Sequence, residues 1–165
     1  MEWLSQHQDL QSQSPFFLYL AFIAPHFPLQ APAEDIARYR DKYRDGWDVI
    51  RAKRWKRMQE LGLVKSELSA PEPTVAPGWN LKETELQQRI GPGESGHAVP
   101  WKDLTSEQRE FQAQKMAVHA AMIDRMDREL GRVLEQIRKM NAWDDTLILF
   151  ASDNGASAEQ IIRGD

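Results

Sequence analysis

Two turns hold the residues best suited to chemistry. Ser152-Asp153-Asn154-Gly155 sets a carboxylate beside an amide oxygen. Adjacent hard oxygen donors suit Ca²⁺ or Mg²⁺, and Gly155 lets the backbone turn sharply behind them. Asp-Asn-Gly is also ordinary turn chemistry, so the tetrapeptide alone leaves both readings open. The second turn is Pro25-His26-Phe27-Pro28. An imidazole titrates near neutrality, so His26 could contact an anionic substrate or protonate a leaving group. Loop packing of a histidine between two prolines is the alternative.

Other titratable residues have blander readings. His119 falls near the apolar face of a helix, as a core or boundary histidine would. Asp127 falls on that helix's apolar stripe, where a carboxylate needs partners, and reads as a helix-to-loop tether. The basic run over residues 51–57 reads as a solvated helix face. His7 and His97 have no informative context. The 165 residues include no cysteine, which excludes a disulfide framework, a zinc-thiolate site and a cysteine nucleophile.

The two turns must be held by regular elements. Residues 16–24 form a continuous apolar run ended by Pro25, and residues 146–151 form another ended by Ser-Asp-Asn-Gly. Neither alternates, which suits strands buried on both faces. A long helical stretch separates them, so a simple hairpin is excluded. The expectation is an α/β fold with parallel pairing. Ligands in such sheets bind at the carboxyl ends of strands, so His26, Asp153 and Asn154 are expected to share one rim.

The longest helix is predicted from near Thr105 to about Met140. Thr105-Ser-Glu-Gln108 fits a capping box, and Met116, Ala120, Ile123, Leu130, Leu134 and Ile137 make an apolar stripe. Pro32 followed by acids opens a shorter helix. Another runs from Trp47 to Leu61 and stops at Gly62. Residues 65–103 are punctuated by Pro and Gly and read as a long functional or loosely ordered loop.

Hydrophobic residues make up 41% of the chain and charged residues 28%, a globular composition and not a disordered one. The net charge of −4 argues against a nucleic-acid partner. The N-terminus shows no signal-peptide pattern, and the longest apolar run is too short to span a bilayer as a helix. The compartment is not legible, and a periplasmic or secreted parent is compatible with the sequence.

Four blocks, in order, resemble the interior of type I, formylglycine-dependent arylsulfatases. They are Pro15-Phe-Phe-Leu-Tyr-Leu-Ala-Phe-Ile-Ala-Pro-His-Phe-Pro-Leu-Gln-Ala-Pro32, Gly46-Trp-Asp-Val-Ile-Arg51, Met122-Ile-Asp-Arg-Met-Asp-Arg-Glu-Leu-Gly-Arg-Val-Leu134 and Asp145-Thr-Leu-Ile-Leu-Phe-Ala-Ser-Asp-Asn-Gly155. The resemblance implies a partial alkaline-phosphatase-like fold, mainly parallel strands with a long helix and the Pro/Gly-rich loop. It implies hydrolysis of small-molecule sulfate esters at a divalent metal, usually Ca²⁺. Carried over residue by residue, Asp153 and Asn154 are metal ligands, and His26 lies against the sulfate and the leaving-group oxygen.

The departures from the family pattern are informative. The nucleophile motif, Cys/Ser-x-Pro-x-Arg matured to formylglycine, is missing. Ser69-Ala-Pro-Glu-Pro73 has Pro where Arg is required and follows the histidine block instead of preceding it. The paired aspartates near the family's N-terminus and the later sulfate-binding lysine are missing too. Residues 1–165 therefore read as an internal part of one catalytic domain, inactive alone, with the formylglycine outside the chain. A phosphodiester or phosphonate hydrolase of the same superfamily is one alternative. A non-catalytic helical interaction module is the other.

Overall fold

A computed structural model describes residues 2–11, 14–72, 74, 76–157 and 160. Its elements are helices: α1 (Glu2–Gln11), α2 (Ala33–Ala37), α3 (Trp47–Glu60), α4 (Glu83–Arg89), a 3₁₀ turn at Trp101–Asp103, and α5 (Ser106–Lys139). The chain divides into two compact units. One comprises residues 1–36 and 118–154, the other residues 37–117 and 155–165.

The helix ends follow local chemistry. At the start of α5 the Thr105 hydroxyl accepts from Gln108 N–H at 3.1 Å, and Gln108 Oε1 accepts from Thr105 N–H at 3.0 Å. This is the reciprocal capping box its sequence predicts. At the end of α3, Gly62 takes φ 71°. There Leu63 N–H donates to Met58 and Gly62 N–H to Gln59, satisfying two carbonyls of the last turn. Asn141 ends α5 in the same way, with φ 55° and its N–H on Arg138.

The expected parallel α/β architecture is not present. Among the described residues there is no β-strand. Residues 16–22 and 147–151 carry no regular structure, and among the described residues no backbone hydrogen bond joins either run to another segment. Phe17 is 86% exposed and Leu147 84%, with Tyr19, Ile23, Leu149 and Phe150 comparably open. An apolar run signals a preference for leaving water. A strand also needs a neighbouring backbone to take up its N–H and C=O groups, and neither run has one among the described residues.

The first unit has a small core: Leu4 of α1 with Ala121, Met122 and Ile137 of α5 are buried. Helix α1 was not apparent from the sequence pattern. Its Trp3 stacks on His7 at 5.5 Å, and His7 Nε2 lies 3.0 Å from the Ser14 carbonyl. The buried face of α5 is offset from the predicted stripe. Met116 and Ile123 are each 40% exposed, while the small side chains of Ala117 and Ala121 are sealed.

The second unit folds its Pro/Gly-rich loop around specific contacts. Within residues 65–103 lie α4, with Leu86 fully buried, and the 3₁₀ turn. Gly93 sits so close to α5 that a Cβ would meet Phe111 Cβ at 2.3 Å. Glu94 is 2% exposed. Its carboxylate accepts from Lys115 at 2.8 and 2.9 Å, from Gln112 at 2.9 Å and from Ser95 N–H at 3.0 Å.

Candidate functional site

His26, Asp153 and Asn154 all fall in the first unit. His26 follows the irregular segment 14–24 in a turn closed by its own N–H on the Ile23 carbonyl at 3.0 Å. The side chain is exposed, and Nδ1 lies 2.9 Å from the Phe27 carbonyl. A carbonyl can only accept, so Nδ1 holds a proton in this contact. Nε2 is left to take or give one. The Phe27 ring tilts against the imidazole at 4.3 Å and limits how far it can swing.

Asp153 and Asn154 occupy an exposed turn after the second apolar run. Asn154 Nδ2 donates to Asp153 Oδ2 at 3.0 Å, and the Ser152 hydroxyl donates to the Asn154 carbonyl. One carboxylate and one amide oxygen match hard cations in kind, but Ca²⁺ takes six to eight oxygens. Among the described residues no cluster of three or more His, Asp or Glu could hold a metal ion. No hydrogen bond or ring contact joins His26 to Asp153 or Asn154. Without a strand among the described residues, the expected shared rim at strand ends is not formed.

The other candidates are accounted for by packing. His119 is half-buried on α5, and burial pushes its pKa below the ordinary histidine value. Asp127 is exposed and tethers nothing among the described residues. Ser69 takes Arg51 on both its carbonyl, at 2.6 Å, and its hydroxyl, at 3.0 Å. Pro73, which completes that pentapeptide, lies outside the described residues.

A different carboxylate is buried and paired with α5, and it ties helix to helix. Asp35, in the first turn of α2, is 1% exposed. Arg128 Nη2 donates to its Oδ1, and Arg125 Nη1 lies 3.6 Å from its Oδ2. The sequence marked Asp35 only as an acid in a helix's first turn. The spacing of Arg125 and Arg128, one turn apart on α5, was the available signal.

The sulfatase family model matches residues 1–164. The chain belongs to the sulfatase family. It is 35% identical over 153 residues to an uncharacterized sulfatase of Schizosaccharomyces pombe, covering 93% of this chain and 24% of that one. It is 33% identical over 148 residues to an arylsulfatase of Klebsiella aerogenes, covering 90% and 27%. A multifunctional alkaline phosphatase superfamily protein, PehA of Trinickia caryophylli, is 30% identical over 141 residues, covering 86% and 23%. The chain thus spans about a quarter of the length of these relatives. Sulfatases as a family act on sulfate esters and are generally metal-dependent. Membership does not restore the sheet, since ancestry is recorded in side-chain identity and pairing requires backbone partners. No described helix is long and apolar enough to cross a membrane.

Proposed function

We propose that residues 1–165 form an internal part of a sulfatase catalytic domain that hydrolyses sulfate esters of the aryl type. One observation carries the reading. A chain matched by the sulfatase family model almost end to end holds Ala24-Pro25-His26 and Ser152-Asp153-Asn154-Gly155 at the positions where the resemblance assigns roles.

In this reading Asp153 would contribute a carboxylate oxygen, and Asn154 an amide oxygen, to a divalent cation, Ca²⁺ by the family's habit. A cation held there would supply charge withdrawal from the sulfate oxygens. The attacking oxygen comes from a formylglycine hydrate outside these residues. As the S–O bond to the leaving group breaks, its electron pair stays on oxygen, and His26 Nε2 delivers the proton. The Phe27 carbonyl holds Nδ1–H throughout and so keeps Nε2 as the working nitrogen.

The test uses a sulfatase-length protein carrying this segment and a nitrophenyl sulfate. His26→Ala is expected to lower turnover of an alkyl sulfate, whose leaving group must be protonated, by ~10²-fold or more, and that of the nitrophenyl ester much less. Asp153→Ala is expected to abolish both turnover and Ca²⁺ binding measured by calorimetry. Residues 1–165 alone are expected to show no turnover and weak Ca²⁺ binding, because the nucleophile motif is missing from their sequence and no larger ligand cluster occurs among the described residues. Full activity in the Asp153→Ala protein would defeat the reading.

A second reading has one observation behind it, the identity to the multifunctional alkaline phosphatase superfamily protein. Preferred turnover of a phosphonate monoester or phosphodiester over the matching sulfate would select it.

A further inference from the structure

We infer that Asp35 is a positioning residue for His26, acting through its clamp on Arg125 and Arg128. The inference rests on the role proposed above for His26.

Among the described residues from 14 to 36, Asp35 is the one buried side chain. Every neighbour along this stretch, including His26 itself, is exposed or half-exposed. The segment carrying the imidazole is held at its start by α1, through Ser14 and Phe16, and beyond the imidazole its one buried anchor is a carboxylate. Taking a carboxylate out of water is costly unless it is paired. Here the compensation comes from two guanidiniums on α5, one turn apart: Arg128 bonded to Oδ1, and Arg125 3.6 Å from Oδ2. Arg125 is braced in turn by Glu129 at 3.1 Å, and Arg128 by Asp124 at 3.7 Å.

A buried ion pair is a poor device for stability, because an apolar contact of similar volume would serve as well or better. Its distinctive contribution is directional. Two charged contacts to two oxygens fix where α2 sits along α5 and how it is rotated, which apolar packing does loosely. Asp35 lies nine residues beyond His26, with two prolines between them. Pro32 accepts at its carbonyl from Asp35 N–H at 3.0 Å and Ile36 N–H at 3.1 Å. Pro32, Pro28 and Pro25 have φ fixed by their rings. Holding Asp35 therefore restricts where His26 can point.

The test compares kcat/KM for a nitrophenyl sulfate, whose leaving group needs little protonation, with that for an alkyl sulfate, whose leaving group needs it fully. It uses the sulfatase-length protein carrying this segment. The ratio of the two values does not depend on how much enzyme is folded, so a purely structural defect leaves it unchanged. His26→Ala should depress the alkyl ester selectively. Asp35→Asn should do the same to a lesser degree, at least ~10-fold more on the alkyl than on the nitrophenyl ester. Arg128→Gln, which leaves Arg125 beside the carboxylate, should show a smaller selective loss and covers the case in which Asp35→Asn fails to fold.

If Asp35→Asn and Arg128→Gln lower both esters equally while His26→Ala discriminates, the positioning role is wrong and the reading of His26 survives. If His26→Ala itself does not discriminate, the acid role of His26 falls and the positioning role falls with it.

Discussion

Residues 91–115 and the turns bearing His26, Asp153 and Asn154 are both rich in Pro, Gly and polar residues, yet the structure treats them differently. In the first region the chain closes on itself. Gly93 is pressed against Phe111, and Glu94 is sealed with four hydrogen bonds from Lys115, Gln112 and Ser95. Around the candidate site the apolar runs leading into each turn hold their side chains in solvent. The contrast separates two kinds of irregular backbone. One is fixed by contacts within its own unit. The other carries the chemistry-bearing residues and has few buried side chains, Asp35 being the one on the His26 segment. Segments with few buried contacts are the ones that open most easily, so the site-bearing turns are expected to be the more readily exchanged and cleaved.

The sharpest test of that contrast is Glu94→Ala. It removes the partner of a part-exposed ammonium and the acceptor of the Ser95 N–H and of one of the two Gln112 amide donors, the other staying on the Gly93 carbonyl, at a cost of about 2–3 kcal/mol. Asp153→Ala, in an exposed turn, should stay within ~0.5 kcal/mol. Urea midpoints of residues 1–165 measure both, and similar losses at the two positions would erase the distinction between the regions.

Glycine substitutions probe the same difference through packing. Gly93→Ala would drive a Cβ into Phe111 and to 3.2 Å from the Glu107 carbonyl, costing ~1–3 kcal/mol. Gly131→Ala, in α5 with nothing within 4 Å, should stabilise by up to ~1 kcal/mol through helix propensity. The two thermal midpoints should move in opposite directions. A stabilised Gly93→Ala protein would show that the close approach to Phe111 is not maintained in solution.

The exposed runs should matter to solubility more than to stability. Replacing Phe17, Tyr19 and Ile23 together by Ser should reduce binding of an apolar dye and slow aggregation, with little change in the urea midpoint. A large drop in the midpoint would mean that these side chains are buried in solution.

The smallest effect is in pH. Burial holds His119 below its ordinary pKa, so folded and unfolded chains are both neutral there above about pH 6.5. As pH falls below that value the unfolded chain takes up the proton first, and stability is lost progressively. His119→Gln should flatten this part of the stability curve between pH 7 and 5. An unchanged slope would assign the pH dependence to other groups.

Signals confined to a few adjacent residues were legible without coordinates. Thr105 and Gln108 specified the start of α5, Gly62 the end of α3, and Pro32 with its following acids the start of α2. Each is settled by hydrogen bonds within one turn of helix, so the residues that make the decision are neighbours in sequence. The residue types at the candidate site, His26, Asp153 and Asn154, were legible for the same reason, as was family membership, which is written in side-chain identity. Strand pairing was not. Residues 16–24 and 146–151 have the composition of buried strands, but pairing belongs to two backbones at once and no single run encodes its partner. The clamp of Arg125 and Arg128 on Asp35 and the closure of Lys115 on Glu94 were likewise decided in three dimensions. The cost of burying a carboxylate is met only when cations remote in sequence arrive beside it, and that arrival is a property of the packed chain.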